Sequence, residues 1–487
     1  MNMKLIILKN KCVYFYSEMR KRILLLNPPY PQPIIRDNYC CFTAKSGYQW
    51  APTDLLYISG ILNGDKRFNV SVIDAPGERA SEEATQAKII EIAPDIICCL
   101  TGTVSFEKDM ALMKVIKDQS KKRIKLYVMG NTPCFAPARF LKQFPFVDGI
   151  FHNFMDKTII SVLVGKPKLC RTCSYKSRSG LTIGSINLKS QTVVTGINPP
   201  LYRLFPINHY SSPTMKSKPF ITAMTAFGCP FTCSFCIASR LNYHTRDIRE
   251  LEKEFKAMKK IGIKEIFFID STFNANPPFV DAVLRMMIKN KFGFSWSAQI
   301  HSFRVTSNLI RLMKSAGCHT VQIGVESGNP QILKEYAPSK IKENITRAVQ
   351  TCKKEGVRVL GYFIIGFPHE SEKQALETID YAKRIDPDFA SFSTMTPDYG
   401  TKIYDEALKA HSFRDKETVP LSAFDSSGKS ILHNAFLSPG KQDALASKAY
   451  SSFYLRPSKI LSFLKDIPRI GLYLKNGLFL ITKKIIK

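Results

Sequence analysis

Three closely spaced cysteines are the residues of this sequence best suited to hold a metal centre. The segment GCPFTCSFC (228–236) places Cys229, Cys233 and Cys236 in a C-x3-C-x2-C arrangement. Three thiolates at this spacing can hold one corner of a cubane iron–sulfur cluster and leave one iron open for a chelating substrate. A zinc site is one alternative, but no fourth Cys or His follows at zinc-finger spacing. A chance spacing among 13 cysteines is the other.

The triplet follows the first strand of a series in which strands and helices alternate. We predict strands at 221–226, 265–269, 295–300, 320–325, 358–365 and 389–394, with helices at 250–261, 279–289, 307–316, 341–355 and 372–384. Six βα units of this length predict a partial (β/α)6 barrel that is open on one side. The cysteine loop then lies at the carboxyl end of the first barrel strand.

The N-terminal part of the chain shows a second strand–helix alternation. We predict strands at 22–26, 70–73, 95–100 and 124–129, with helices at 54–63, 81–92 and 108–118. This pattern predicts a doubly wound parallel sheet, in which ligands bind at the carboxyl ends of the strands. The candidate ligand site is lined by 27–30, 74, 101–105 and 130–132. Ordinary strand-end turns are the alternative, because every such sheet has them.

The predicted fold class is therefore α/β, in several parts. These are an N-terminal extension (1–20), a doubly wound domain (21–165), a polar linker (166–217), the barrel (218–415) and a helical C-terminal region (416–487). The linker contains Cys170 and Cys173 in a C-x-x-C pair, which is at most half of a zinc site.

The charge of the chain indicates an anionic partner or a solvated basic surface. Seventy Lys and Arg against 40 Asp and Glu give a net charge of +30, which alone does not identify the partner. Residues 459–487 mix Ile, Leu and Phe with Lys and Arg, as a helix on a membrane surface or a helix packed on a domain would. No uncharged apolar run of membrane-spanning length is present. We expect a cytoplasmic protein with peripheral attachment to the inner membrane surface.

The cysteine loop resembles the signature of the radical S-adenosylmethionine (SAM) superfamily. The order of the later motifs resembles the cobalamin-binding branch of that superfamily, from about residue 22 to residue 456. The resemblance implies a [4Fe–4S] cluster on Cys229, Cys233 and Cys236, whose open iron chelates SAM. It also implies reductive cleavage of SAM to a 5′-deoxyadenosyl radical, with a flavodoxin- or ferredoxin-type electron donor.

The same resemblance assigns SAM contacts to the barrel. They are Phe235 beside adenine, Asp270 and Ser271 at the methionyl amino group, Glu326 at the ribose hydroxyls and Gly366 against adenine. Relatives carry Arg where His301 stands, so Arg304 is the expected partner of the SAM carboxylate. Asp270 could instead be a plain helix N-cap, and we expect His301 and His369 to be structural.

The N-terminal domain resembles a cobalamin-binding domain through RILLLNPP (22–29) and DLLYI (54–58). This resemblance implies cobalamin contacts from Asn27, Thr101 and Gly130. The family's Gly-Gly dipeptide reads Gly130-Asn131 here, and its acidic loop reads GIFHN (149–153). No D-x-H-x-x-G motif is present, so we expect no lower axial His.

The resemblance implies cobalamin-dependent methyl transfer to an unactivated carbon of a small hydrophobic or lipid-like substrate. Radical cyclisation, coupling or rearrangement without methyl transfer is the alternative. An RNA methylthiotransferase is a minor alternative that needs a second three-cysteine cluster, and the pairs 40/41 and 98/99 do not form an obvious one. We therefore expect no nucleic-acid partner despite the basic charge. A protein that only binds a partner would not need three cysteines that leave one iron of a cluster open.

Overall fold

The computed structural model describes most of the chain. The described residues are 4–6, 14–16, 20–44, 47–120, 124–177, 180–187, 193–413 and 430–465. Most of the predicted N-terminal extension and residues 466–487 of the predicted basic tail lie outside these ranges. Among the described residues, we find no helix whose length and apolar character would let it span a bilayer.

A seven-stranded sheet forms the N-terminal part of the molecule. Its order across the sheet is Phe68–Asp74, Lys21–Asn27, Ile96–Leu100, Lys125–Met129, Gly149–Phe151, Cys173–Ser177 and Gly180–Thr182. The first five strands are parallel and the last two are antiparallel. The helices of this part are Thr53–Leu62, Ala75–Glu78, Glu82–Ile92, Phe106–Gln119, Asn131–Phe135, Pro137–Gln143 and Ile159–Leu163. The central strand Ile96–Leu100 is entirely buried, as in a sheet covered on both faces.

The sheet extends beyond the predicted boundary at residue 165. Residues 166–217 were expected to be a connector, but strand Cys173–Ser177 pairs with Gly149–Phe151. The amide of His152 donates to the carbonyl oxygen of Thr172 at 2.8 Å and continues this pairing. The difference arises because Gly149–Phe151 has only three residues, which is too short for a period-two pattern to show.

Six parallel strands form the partial barrel, and their spatial order follows the sequence. Barrel strands 1 to 6 are Phe220–Ala223, Glu265–Phe268, Ser295–Ile300, Cys318–Glu326, Arg358–Ile365 and Phe389–Thr394. The helices of this part are Ile248–Lys260, Pro277–Lys289, Ser307–Ser315, Pro330–Tyr336, Lys342–Lys354, Glu372–Ile385 and Lys402–Lys409. Along barrel strand 5, fully and partly buried residues alternate, because one face packs on the helices and the other faces the lumen. The predicted α/β class with a (β/α)6 barrel is confirmed.

Shorter elements complete the fold. The strands are the pairs Ile34–Asp37 with Cys40–Thr43 and Lys4–Ile6 with Tyr14–Tyr16, and a small sheet of Val193–Val194, His244–Arg246 and Ala226–Phe227. Four short 3-10 turns span Pro167–Leu169, Tyr202–Leu204, Ile237–Arg240 and Ser302–Arg304.

Helix Thr53–Leu62 lies between the seven-stranded sheet and the barrel, and every one of its residues is buried. Its first residue, Thr53, shares a hydroxyl–hydroxyl hydrogen bond of 2.8 Å with Thr222 of barrel strand 1. The amide of Met224 donates to the Tyr57 hydroxyl at 2.7 Å. These contacts join the sheet and the barrel through one continuous core.

Two C-terminal helices cover part of the barrel. Helix Pro439–Tyr454 packs against barrel strand 6, and helix Pro457–Lys465 follows it. Lys459 is buried, and its ammonium donates to the Pro387 carbonyl oxygen at 2.5 Å and pairs with Asp386 at 3.0 Å. The start of the predicted amphipathic tail therefore packs on the barrel.

Candidate functional site

The cysteine loop (228–236) is held in place by backbone contacts of the protein itself. Gly228 opens the loop with φ of 75°, a left-handed conformation that glycine adopts without strain. A Cβ at this position would lie 2.2 Å from the carbonyl oxygen of Asn242. In the middle of the loop, the Ser234 amide donates to the Tyr336 carbonyl oxygen at 3.0 Å. These contacts restrict the backbone conformation of the loop.

The three thiols of the loop lie near one another. Cys233 is buried, while Cys229 and Cys236 are half-buried. Burial, with smaller contributions from the neighbouring cysteines, raises the pKa of Cys233 and of Cys236 to about 12. A cubane cluster distributes its cysteines over different irons, and three neighbouring thiols at this spacing suit that arrangement.

Asp270, at the end of barrel strand 2, is fully engaged by the protein. Its carboxylate accepts the Thr225 amide at 3.0 Å, the Thr225 hydroxyl at 2.8 Å and the Ala226 amide. The side chain is 1% exposed, and burial raises its pKa to about 6. Asp270 thus holds the chain just ahead of the cysteine loop, and its predicted contact with SAM stays a prediction.

Glu326 ends barrel strand 4 in a conformation that is rare for a non-glycine residue. Its φ is 64°, and such strain is concentrated at functional sites. Lys340 lies with its ammonium 3.5 Å from the Glu326 carboxylate and donates to the Gly324 carbonyl oxygen at 2.7 Å. Burial raises the pKa of Glu326, and Lys340 opposes that effect. Lys340 also interacts electrostatically with Cys233, so this ion pair borders the cysteine loop.

His301 and Arg304 lie close to the same region. The His301 ring stacks on Phe231 of the cysteine loop, with centroids 3.9 Å apart. Its Nδ1 accepts the Phe303 amide, and burial lowers its pKa to about 3, so the ring is neutral. Arg304 is exposed and donates to the backbone carbonyl of Ala275. Lys340 is therefore more enclosed than Arg304. The sequence alone did not predict a role for Lys340.

The remaining predicted SAM residues surround the loop. Phe235 is half-buried, with its ring 5.7 Å from that of Phe367. Gly366 has φ of 93°, and a Cβ there would lie 2.2 Å from Oε1 of Gln442 on the C-terminal helix. At the end of barrel strand 2, Thr272 contacts Cys229 Sγ at 3.6 Å and donates to the carbonyl of Ser271.

The carboxyl ends of the N-terminal strands carry a buried polar network. Arg36 is 1% exposed and donates to Asn27 at 2.8 Å, to Ser105 at 2.8 Å and to Asp109 at 2.6 Å. Asn27 also donates to Asp74 at 2.7 Å. Asn27 thus has a structural role in this network, and its predicted contact with cobalamin stays a prediction.

Two other predicted cobalamin residues, Thr101 and Gly130, lie in close contact at the ends of neighbouring strands. The Thr101 hydroxyl donates to the Met129 carbonyl oxygen at 2.9 Å. A Cβ on Gly130 would lie 2.1 Å from the Thr101 carbonyl oxygen. Beside them, Asn131 is 2% exposed, and neither its amide nitrogen nor its amide oxygen has a partner among the described residues. Buried amides without partners are rare. In the sequence, Asn131 stands out only because it replaces the second glycine of the family's Gly-Gly dipeptide.

Cys40 shows that the hairpin of Ile34–Asp37 with Cys40–Thr43 lies near the cysteine loop. Burial raises the pKa of its thiol, and Asp398 and Cys236 of the cysteine loop raise it further. The hairpin and the cysteine loop therefore border the same region. No motif predicted this role, since the contact joins residues almost 200 positions apart.

Comparison with known proteins agrees with this geometry. The family model described as the radical SAM superfamily matches residues 224–382. An uncharacterized methyltransferase of Pyrococcus horikoshii is 28% identical over 92% of this chain and 94% of that protein. The anaerobic magnesium-protoporphyrin IX monomethyl ester cyclase of Rubrivivax gelatinosus is 24% identical over 74% of this chain and 67% of that protein.

A solved structure shares the fold of both halves. It is the radical SAM methyltransferase TsrM of Kitasatospora setae with bound cobalamin and a [4Fe–4S] cluster. The two chains are 15% identical, with a TM-score of 0.67 over 90% of this chain and 92% of that one. The cysteine loop, the partial barrel and these relatives lead to one conclusion. Residues 224–382 match the radical SAM superfamily, and the chain as a whole shares the fold of a cobalamin-binding radical SAM methyltransferase.

Proposed function

We propose that this chain catalyses cobalamin-dependent methyl transfer to an unactivated carbon, using a [4Fe–4S] cluster and SAM. The observation that carries the proposal is that three features lie close together. These are the cysteine loop, the buried pair of Glu326 and Lys340, and the hairpin that carries Cys40. When bound, the cluster supplies the electron that cleaves SAM, and cobalamin supplies a methyl carrier.

The residues of the barrel fit the binding of SAM beside the cluster. Cys229, Cys233 and Cys236 would hold the cluster, because their donor set and spacing suit it. Glu326 is a buried carboxylate at a strand end, which suits a pair of ribose hydroxyls. Lys340 supplies a cation for the carboxylate of SAM. Asp270 positions the loop by holding the Thr225 and Ala226 amides.

Replacing Glu326 with Gln is expected to weaken SAM binding roughly tenfold, because a hydrogen bond to a charged group contributes about 1.5–3 kcal/mol. Equilibrium dialysis of SAM against the cluster-loaded protein measures the effect. Glu335→Gln is the control, since Glu335 pairs with His369 on the exposed surface and is expected to leave SAM affinity unchanged. Equal SAM affinity in Glu326→Gln and the native chain would contradict the assignment.

Cobalamin fits the strand ends of the N-terminal sheet, and Asn131 carries this part of the proposal. An unpartnered buried amide costs free energy unless a ligand completes its hydrogen bonds. Thr103, also buried and without a partner among the described residues, lies on the neighbouring strand-end loop. Glycine is required at position 130 beside this site, since a side chain there would clash with Thr101.

Replacing Asn131 with Ala is expected to leave folding intact and to lower cobalamin affinity about tenfold or more, because bonds made only to the cofactor are lost. The readout is the visible absorbance of cobalamin that remains with the protein after gel filtration. Asn290→Ala is the control, because the Asn290 amide donates to the Met286 carbonyl oxygen at 2.9 Å, outside the site. If Asn131→Ala retains as much cobalamin as the native chain, this placement fails.

Radical cyclisation without methyl transfer is the second candidate, and the similarity to the Rubrivivax cyclase supports it. Methyl donation converts SAM to S-adenosylhomocysteine, whereas radical initiation alone yields 5′-deoxyadenosine. Quantifying both products separates the two candidates.

We favour a small hydrophobic substrate because aromatic rings from both halves meet at the barrel lumen, where Trp50 lies 5.1 Å from Phe267 and 5.7 Å from Tyr48.

A further inference from the structure

Helix Pro457–Lys465 carries its charged and apolar side chains in the reverse of the usual arrangement. Lys459 is 5% exposed and is held against the barrel by an ion pair of 3.0 Å with Asp386. Ile460 and Leu461, the next two residues, are 44% and 57% exposed. Lysine is normally among the most exposed residue types, and isoleucine and leucine are among the most buried. This helix therefore attaches to the barrel through its lysine and presents aliphatic side chains outward.

The residues just ahead of this helix show the same reversal. Leu455 is 51% exposed, whereas Arg456 pairs with Asp386 at 2.8 Å. Single exposed aliphatic residues are common on protein surfaces and need no explanation. Here, however, both cations of one short segment bind the barrel, while its aliphatic side chains face away. We call these exposed side chains the apolar face; they are Leu455, Ile460 and Leu461.

The surface beneath the apolar face carries an excess of positive charge. The carboxylate of Asp386 is shared by three cations, Lys353 at 3.1 Å, Arg456 at 2.8 Å and Lys459 at 3.0 Å. Asp388 is a second carboxylate that interacts with Lys459, so the cations still outnumber the carboxylates. The positive charge continues along the sequence, because residues 466–487 contain five Lys and Arg and one Asp among ten Ile, Leu and Phe.

Charge favours one occupant of the apolar face over the alternatives. A second copy of the chain would bring the same excess of positive charge to the contact, and like charges placed together are unfavourable. Residues 466–487 of this chain carry the same sign of charge and would meet the same repulsion. An anionic lipid surface complements both properties of the segment, because its headgroups attract cations and its acyl chains accept aliphatic side chains.

We propose that the apolar face docks this protein on an anionic lipid surface. Asp386 lies just ahead of barrel strand 6, at the amino-terminal end of the barrel strands. The cysteine loop follows barrel strand 1, at the carboxyl ends of the strands. The docking surface is therefore opposite the cluster site, and lipid contact leaves the carboxyl ends of the barrel open. Lipid binding does not depend on the proposed reaction, so the two can be tested separately.

The test is flotation of the cluster-loaded full chain with two kinds of vesicle, phosphatidylcholine alone and phosphatidylcholine mixed with phosphatidylglycerol. The native chain is expected to float with the mixed vesicles and not with the neutral ones, because anionic headgroups attract its cations. Flotation should decrease as the salt concentration rises, since salt screens exposed charges. Ile460→Ser combined with Leu461→Ser is expected to lower the affinity for mixed vesicles roughly tenfold or more, because two aliphatic side chains no longer enter the lipid.

A matched double variant controls for surface hydrophobicity in general. Ile90→Ser combined with Val115→Ser removes two exposed aliphatic side chains from helices of the N-terminal sheet and should float as the native chain does. Without vesicles, both double variants should form 5′-deoxyadenosine at the native rate.

Three flotation results would overturn the proposal. They are no flotation of the native chain with the mixed vesicles, equal flotation with the neutral vesicles, and unchanged flotation after loss of Ile460 and Leu461. Light scattering gives a fourth test. A native dimer that becomes a monomer when Ile460 and Leu461 are replaced would show that a second copy covers the apolar face, and the lipid assignment would be wrong.

Discussion

Replacing any one of Cys229, Cys233 and Cys236 with Ala is expected to lower the iron content of the reconstituted protein and to reduce SAM cleavage roughly 100-fold or more, because even changes behind the direct metal ligands cost 10–100-fold. Each variant removes one of only three protein ligands. The measurements are bound iron, the broad visible absorbance of the cluster, and 5′-deoxyadenosine formed with a strong reductant.

The control for this experiment is Cys352→Ala. Cys352 is fully buried under barrel strand 5 and has no role at the site, so this variant should keep its iron and its SAM cleavage. The loop keeps its backbone contacts at Gly228 and Ser234 in all the variants, so loss of iron reports ligation and not unfolding. Undiminished 5′-deoxyadenosine formation in a loop variant would remove the basis of the proposed function.

Replacing Arg36 with Met is expected to lower the free energy of unfolding by about 3–5 kcal/mol, because it leaves the buried Asp109 carboxylate without its partner. Arg36 and Asp109 are 2.6 Å apart, and both side chains are fully buried. Chemical denaturation followed by circular dichroism measures the change.

Two further variants isolate the cause of this loss. Arg36→Met combined with Asp109→Leu should be more stable than Arg36→Met alone, because the stranded carboxylate is gone. Arg285→Met removes the exposed ion pair with Asp281 and should leave the unfolding free energy unchanged within error. If Arg36→Met unfolds at the same denaturant concentration as Arg285→Met, the ion pair does not anchor the hairpin.

The barrel and the cysteine loop could be predicted from the sequence because their signals are local. Long buried strands alternate with amphipathic helices, and the three cysteines fall within eight consecutive residues. The hairpin Ile34–Asp37 with Cys40–Thr43 gave no comparable signal, because each strand has four residues. Its position depends on Arg36, whose partners Ser105 and Asp109 lie about 70 residues away.

The three cysteines of the site could be predicted from the sequence. The hydrogen bonds and the ion pair that surround them could not. The motifs predict contacts of Asp270 and Arg304 with SAM. They do not show that Asp270 also holds backbone amides or that Arg304 donates to the Ala275 carbonyl oxygen. Lys340 belongs to a turn without periodicity, so only the folded chain shows that it pairs with Glu326. Hydrogen-bond partners that are distant in sequence leave no pattern in a single chain.

The anchoring of the cysteine loop has a consequence for maturation and repair. Asp270 holds the chain ahead of the loop, Gly228 packs against Asn242, and Ser234 is hydrogen-bonded on both sides by Tyr336 and Ile403. Since the protein itself makes these contacts, we expect the loop to keep its conformation when oxygen destroys the cluster. A chain damaged in this way would need only new iron and sulfide, and not refolding, to regain its cluster.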